Sequence, residues 1–307
     1  MTAKLQSPPQ KTRARHGETM TQYQVIGPER RLLTGLVGAP IKHSATPTTH
    51  EAAARALGLL CHYHLIEIAG ADRAKLRAIL DGIRLIGFAG INVTFPYKEA
   101  VVSLLDDLSP DARAMGAVNT VVVQGGRLVG YNTDASGMRR AAQPLVEASG
   151  RGPVAIVGAG GVGKACAFAL ASLGVRDIRL IDTDGAKAAA LKASLGARAE
   201  VTIAPSVAAA LAGAAGLFNG TPIGMLPNRD SPVPPELLHD GLWVADAVYS
   251  PLWTPLLIAA RAAGARVMTG RDLAVYQGVD AFALFSGREP SATVMGEAFD
   301  AVMAARG

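Results

Sequence analysis

The sequence predicts an α/β protein with a parallel sheet covered on both faces. Three observations carry that prediction. From Leu32 onward, short apolar segments alternate with helical stretches, the pattern of consecutive βα units. At 158–163 a glycine-rich stretch lies between an apolar strand and a helix. The 307 residues, 50% hydrophobic and 18% charged, suffice for two domains and a sizeable core.

Residues 33–38 read as the first strand. Thr46 and Pro47 read as a helix start, with Thr46 as N-cap and the proline in the first turn. That helix runs through the Glu51–Leu57 stretch and stops at Gly58, a C-terminal glycine. Strand 62–68, helix 76–83 and strand 89–95 follow. After Pro96 a further helix is expected through Leu105. Residues 117–123 and 127–131 form a strand pair joined by Gly125-Gly126, a turn signal. A second βα series begins at Pro153. It comprises strand 154–157, a helix through Leu173, strand 178–181 and helix 185–195, then strands 201–204, 216–219 and 242–245. The stretch from about Arg271 to Ala305 reads as wholly helical.

Several function classes fall away. No apolar run is long enough to span a bilayer. Residues 1–29 form a basic extension, with Lys4, Lys11, Arg13 and Arg15; it lacks a secretory signal's apolar stretch and reads as disordered. Met20 is a candidate alternative start. Cys61 and Cys166 match no metal or redox spacing and read as buried free thiols, so the expected compartment is the cytoplasm. The net charge of +5 and pI near 9.4 raise nucleic acid as a partner. No dense basic cluster outside the extension supports it; the surplus suits attraction of anionic small molecules.

Gly158-Ala159-Gly160-Gly161-Val162-Gly163 fits G-x-G-x-x-G in its required strand–helix context. Glycines there allow a tight turn and close approach of backbone N–H groups to a pyrophosphate at a helix N-terminus. An ordinary glycine-rich turn is the plainer alternative. Asp182, nineteen positions beyond Gly163, would accept hydrogen bonds from the ribose hydroxyls of NAD. A 2′-phosphate would meet negative charge, no arginine is near, and the nearest base is Lys187. NAD is therefore expected rather than NADP. Asp184 reads as a solvated turn residue without a role.

Polar residues recur at the ends of the first strands, where open α/β sheets place ligands. They are His43-Ser44 with Thr46, Asn92 with Thr94, Lys98, Asn119-Thr120 and Asn132-Thr133-Asp134. Ser44 and Thr46 could be caps alone, and Asn92 and Thr94 could satisfy backbone groups. Lys98 is expected in the first turn of a helix, where a cation is electrostatically unfavourable; that oddity favours a chemical role.

The segments 35–47, 87–98, 116–120 (Gly-Ala-Val-Asn-Thr), 130–134 (Gly-Tyr-Asn-Thr-Asp), 219–225 (Asn-Gly-Thr-Pro-Ile-Gly-Met) and 246–251 (Asp-Ala-Val-Tyr-Ser-Pro), with Gln277, resemble the shikimate/quinate dehydrogenase family. The resemblance runs from about Leu32 to the C-terminus. It implies an N-terminal α/β substrate domain (30–134 with 271–307) facing a Rossmann-type, doubly wound parallel-sheet domain (135–270) across a cleft. Lys98 matches the family's catalytic lysine and Asp134 its partner. A lysine beside the reacting hydroxyl can accept its proton as hydride leaves the same carbon, with no metal. Ser44 and Thr46 match the pair that holds the substrate carboxylate. Thr94, Asn119 and Gln277 match contacts to ring hydroxyls, and Tyr249 matches a cleft tyrosine. Thr221, Val248 and Gly270 fall where the family approaches the nicotinamide and its ribose.

Two departures matter. Many members have Ser where this chain has Thr46, and many carry an Asn-Arg-Thr-like loop where this chain has Asp182-Thr183-Asp184. Both departures resemble the branch that uses NAD and accepts quinate as well as shikimate. One methyl changes discrimination by only about 1–3 kcal/mol, so Thr46 alone leaves the acid open. The alternatives are an NADP-dependent biosynthetic shikimate dehydrogenase, a relative acting on a modified shikimate, and a non-catalytic regulator that binds the acid. The expected partner is a small hydroxy-carboxylic acid, with no nucleic acid and no membrane. The chain is expected as a monomer or a homodimer.

Overall fold

The computed structural model describes residues 31–305, so the basic extension at 1–29 and Met20 lie outside the described residues. Two six-stranded sheets form the framework. The first contains β1 (Arg31–Gly38), β2 (Leu60–Glu67), β3 (Gly90–Val93), β4 (Asp107–Leu108), β5 (Thr120–Gln124) and β6 (Arg127–Tyr131), in the order β2-β1-β3-β5-β6-β4. The second contains β7 (Val154–Val157), β8 (Asp177–Ile181), β9 (Glu200–Ile203), β10 (Gly216–Asn219), β11 (Trp243–Asp246) and β12 (Arg266–Met268), in the order β12-β11-β10-β7-β8-β9. Every pair in the second sheet is parallel, and its order is that of the doubly wound dinucleotide-binding fold.

The expected parallel sheet is that of the second unit, while the first sheet is mixed and contains the strand pair expected on either side of Gly125-Gly126. The pairs β3–β5 and β5–β6 are antiparallel. The β5–β6 reversal is made by Gly125-Gly126, whose two positive φ angles allow a tight two-residue hairpin.

The helices are α1 (Thr46–Ala56), α2 (Arg73–Leu85), α3 (Pro110–Met115), α4 (Thr133–Ala148), α5 (Gly161–Ser172), α6 (Gly185–Leu195), α7 (Val207–Leu211), α8 (Pro255–Ala262), α9 (Gly270–Ser286) and α10 (Ala292–Ala304). Side-chain caps start most of them: Asp72, Ser109, Asn132, Asp184, Ser206, Thr254 and Ser291 each accept a backbone N–H of the first turn. Asp184, read as a solvated turn residue, is thus the cap of α6.

Four further expectations are corrected. Thr46 is not the cap of α1; Ala45 holds that position and makes no side-chain cap bond. No helix follows Pro96; Val102–Leu104 form a single 3-10 turn. Lys98 therefore has no helix N-terminus behind it: its carbonyl accepts from Val118 N (2.8 Å). The C-terminal stretch breaks at Gly287, in the left-handed region, so α9 and α10 are separate. Finally, Cys166 is buried as expected, while Cys61 is only partly buried.

Two helices join the sheets. α4 leaves the first sheet after β6, packs on α5 and lies along α9. A Cβ at Gly137 of α4 would fall 2.4 Å from Gln277 N, so the missing side chain permits the close approach. Arg140 fastens the same seam, binding Asp280 (2.7 Å) and Glu289 (2.9 Å) and lying over the Tyr276 ring. α9 and α10 also pack on α1, closing the first unit. No helix among the described residues is long and apolar enough to cross a membrane.

His50 of α1 lies at the centre of that packing. It is fully buried, surrounded by Tyr63, Phe282 and Phe285, and neither ring nitrogen has a hydrogen-bond partner. Burial lowers its pKa from 6.5 to about 3, because a charged imidazole there would be unsolvated. The unfolded chain therefore binds this proton first, and the fold loses stability as pH falls from about 6.5 toward about 3. His50→Phe should remove that loss. In urea titrations its stability relative to the wild type should rise steadily as pH is lowered from neutrality to 4. A difference that does not change with pH would refute the assignment.

Candidate active site

A cleft of about 740 Å³ opens between the two sheets. Eight residues singled out from the sequence line it: Ser44, Thr46, Thr94, Lys98, Asn119, Asp134, Tyr249 and Gln277. They come from the C-terminal ends of β1 and β3, the loop before β5, the first turn of α4, the loop after β11, and α9.

The polar centre is the Lys98–Asp134 pair. Lys98 Nζ lies 2.6 Å from Asp134 Oδ2, and both side chains are largely covered. Asp134 sits in the first turn of α4, where the helix dipole favours a carboxylate. Its other oxygen accepts from Asn119 Nδ2 (2.9 Å). The orientation of that amide is fixed by a backbone donor: Thr133 N binds Asn119 Oδ1 at 2.7 Å, so Nδ2 must face Asp134. Behind it lies a buried relay of contacts. Asn92 Nδ2 donates to Thr120 Oγ1 (3.0 Å) and to the Asn119 carbonyl (3.3 Å), and Asn92 Oδ1 accepts from Tyr63 (2.8 Å). The buried side chains of this relay, Tyr63, Asn92, Asn119, Thr120 and Thr133, all have partners, which makes the array rigid.

At one end of the cleft Ser44 Oγ and Thr46 Oγ1 lie 2.8 Å apart, and Thr46 N donates to Ser44 Oγ (3.2 Å). The two hydroxyls thus face one place from adjoining positions at the start of α1. Tyr249 is half exposed, its ring edge-on to Phe299 at 5.6 Å. Gln277 donates to the Ala274 carbonyl (3.1 Å). The apolar lining includes Leu36, Ile41, Met295 and Phe299. The last two come from α10, and no motif in the sequence marks them.

On the other side of the cleft the β7–α5 turn has the geometry of a phosphate cradle. Gly158 has φ +96°. A Cβ on Gly163 would lie 1.8 Å from the Gly158 carbonyl, so only glycine closes this turn. Gly160 and Gly161 are exposed, and a Cβ on either would meet nothing within 4 Å, which leaves the helix N-terminus open to a ligand. Ala159 N donates to Asp182 Oδ2 (2.6 Å) and Asp184 N to Oδ1 (2.7 Å). Desolvation raises the pKa of Asp182, but those two N–H groups and nearby Lys187 outweigh it and hold the carboxyl below its ordinary value. Lys187 itself lies 3.7 Å from Asp184. Of the residues singled out on this side, Val162 and Gly270 line the cleft, while Thr221, Val248 and Asp182 stand behind or beside it.

The residues 36–121 match the family model described as "Shikimate dehydrogenase substrate binding domain". The chain is 42% identical to a Shikimate dehydrogenase (NADP(+)) of Streptomyces avermitilis, over 86% of this chain and 93% of the relative. The chain belongs to the shikimate/quinate dehydrogenase family. It is also 42% identical to a Quinate/shikimate dehydrogenase (NAD(+)) of Corynebacterium efficiens, over 87% of this chain and 97% of the relative. Among solved structures it resembles the quinate dehydrogenase from Corynebacterium glutamicum in complex with NAD, with TM-score 0.83 and 38% identity, covering 88% of this chain and 99% of that one. The dehydrogenase is therefore an NAD(P)-dependent oxidoreductase acting on a CH–OH group, and relatives named for either dinucleotide are equally similar to it.

Asn92 and Asp246 are the residues whose importance the sequence understates. Each lies within a recognisable segment, but only the fold reveals that Asn92 braces Asn119 and that Asp246 is buried among three donors.

Gly163→Ala should cost about 1–3 kcal/mol, the usual penalty of overpacking, and weaken dinucleotide binding about tenfold, since 1.4 kcal/mol is one decade. Thermal melts with and without dinucleotide report both. An unchanged dinucleotide-induced shift would show that the turn is not the cradle.

Proposed function

We propose that the chain is an NAD-dependent quinate/shikimate dehydrogenase that moves a hydride between NAD and the ring C3 hydroxyl of the acid, giving 3-dehydroquinate or 3-dehydroshikimate. The single observation that carries this reading is the Lys98–Asp134 pair at 2.6 Å in the cleft, opposite an open glycine turn. A domain division follows from the same reading: 30–134 with 271–307 binds the acid and 135–270 binds the dinucleotide. The boundary at 134/135 falls in the first turn of α4, so this helix begins beside the dyad and ends in the nucleotide unit.

The roles follow from chemistry. Lys98 Nζ takes the hydroxyl proton of the reacting carbon during oxidation and returns it during reduction. Asp134 holds that amine and accepts a hydrogen bond from the acid. Asn119, whose amide orientation is locked, holds Asp134 and offers its remaining capacity to a ring hydroxyl. Thr94 and Gln277 contact further ring hydroxyls, Ser44 and Thr46 hold the carboxylate, and Tyr249 closes that end. Gly158, Ala159, Gly160, Gly161, Val162 and Gly163 would hold the pyrophosphate. Asp182 would accept from the adenosine ribose, and Thr221, Val248 and Gly270 would flank the nicotinamide. NAD bound there supplies the hydride acceptor.

Preference for NAD rests on charge. Asp182 is held ionised by two backbone donors, and no arginine is available to pair with a 2′-phosphate in the 182–184 loop. The competing reading, an NADP-dependent shikimate dehydrogenase, draws support from the Streptomyces avermitilis relative.

Three measurements test the proposal. Lys98→Ala should lower kcat by about 10²–10⁴-fold, the range for losing a general acid–base group, with an unchanged melting temperature; near-normal turnover would exclude Lys98 as the base. Asp182→Ala should raise the KM for NAD and leave that for the acid nearly unchanged, and an unaltered NAD KM would remove the ribose assignment. Initial rates should be measured for quinate and shikimate, each with NAD and with NADP. Turnover with NAD and little with NADP is expected. Shikimate turnover with NADP alone would favour the biosynthetic reading, and ligand binding without turnover would favour a regulator.

A further inference from the structure

The wall of the cleft between the glycine turn and α9 hangs on one carboxylate that reaches neither solvent nor the cleft. Asp246 ends β11 and is fully buried. Its Oδ1 accepts from Asn219 Nδ2 (2.9 Å) and Val248 N (2.9 Å), and its Oδ2 from Thr254 Oγ1 (2.7 Å). The donors belong to three segments: the end of β10, the loop after β11, and the cap of α8. Asn219 extends the reach of this carboxylate. Its Oδ1 accepts from Thr221 N (3.0 Å) and Thr221 Oγ1 (2.7 Å), while Nδ2 also donates to the Ile223 carbonyl (3.2 Å). One acid and one amide thereby set the course of both loops, 219–224 and 246–250.

Those loops touch only parts of the site that matter. A Cβ on Gly158 would meet Thr221 Cγ2 at 2.7 Å, and a Cβ on Gly220 would lie 3.0 Å from Gly163 Cα. The first loop is thus pressed against the first and last glycines of the turn. The second abuts the start of α9, where a Cβ on Gly270 would lie 2.5 Å from the Val248 carbonyl, and its Tyr249 and Ser250 line the cleft. Burying an acid is costly: desolvation raises the Asp246 pKa to about 6 even against three donors.

We propose that Asp246 is a positioning residue for the nicotinamide half of the dinucleotide, acting through Asn219 on Thr221 and directly on Val248. The adenosine half would be held by the β7–α5 turn and Asp182, whose side-chain hydrogen bonds do not involve Asp246 or Asn219. The inference rests on the dinucleotide reading given above.

The test compares two ligands that share the adenosine half. Calorimetry of the full chain would measure the Kd of NAD and of ADP-ribose, which lacks the nicotinamide, for the wild type, Asp246→Ala and Asp246→Asn. Asp246→Ala should raise the Kd of NAD about tenfold or more, the scale of losing charge-assisted hydrogen bonds, and leave ADP-ribose within about twofold. Asp246→Asn keeps an acceptor for Asn219 and Val248 and should restore NAD to within about threefold of wild type. Should Asp246→Ala fail to fold, Thr254→Val removes one donor to Asp246 along with the cap of α8, and should weaken NAD selectively by about threefold. Equal loss of both ligands, or no loss of either, would overturn the proposal by making Asp246 a merely structural residue. A wild-type chain that binds neither ligand would instead overturn the dinucleotide reading itself.

Discussion

The ion pair between Lys98 and Asp134 is the contact that the polar interior of the first unit holds in place. Its partners arrive from unrelated directions, one from a turn after β3 and one from the first turn of α4. Lys98 is tethered by its carbonyl to Val118, and Asp134 by Asn119 and the N-terminus of α4. The sheet residues Tyr63, Asn92 and Thr120, with Thr133 at the start of α4, lie one behind another next to Asn119 and leave its amide one orientation. Removing any of them would expose buried donors or acceptors without water to satisfy them.

The two sheets are arranged to serve that pair. Both present the C-terminal ends of parallel strands to the same cleft, where such sheets bind ligands. The reversal of order between β7 and β10 places the glycine turn at the switch point of the second sheet. The antiparallel hairpin β5–β6 in the first sheet then returns the chain to the cleft with Asn132 ready to cap α4. Helices α4 and α9 run together along the seam, and Gly137 allows them to touch at Gln277.

Much of this was legible in the residues themselves. Strands 154–157 and 216–219 and helix 185–195 match the structure at both ends, because short apolar runs mark the strands and Gly185 and Gly196 bound the helix. The polar groups that meet in the cleft could be recognised because they cluster in short segments after strands. The expected helix after Pro96 does not form: Val118 takes the Lys98 carbonyl, Val101 and Val102 are poor helix formers, and Asp106 N is drawn to the Leu128 carbonyl of β6. Helix α4, the longest element of the first half, was hidden by Pro144, which lacks a helix donor yet lies within it. The buried wiring of Asn92, Asn219 and Asp246 was illegible for a different reason. A polar side chain at a strand end carries no local sign of which distant backbone it will meet.

The contact between Asp182 and Ala159 N ties the end of β8 to the glycine turn as well as to its own loop. Alanine at 182 would leave the Ala159 N–H without its acceptor, whereas asparagine would keep an amide oxygen for it. The length and polarity of this side chain are therefore constrained by the turn itself, whichever dinucleotide the turn meets.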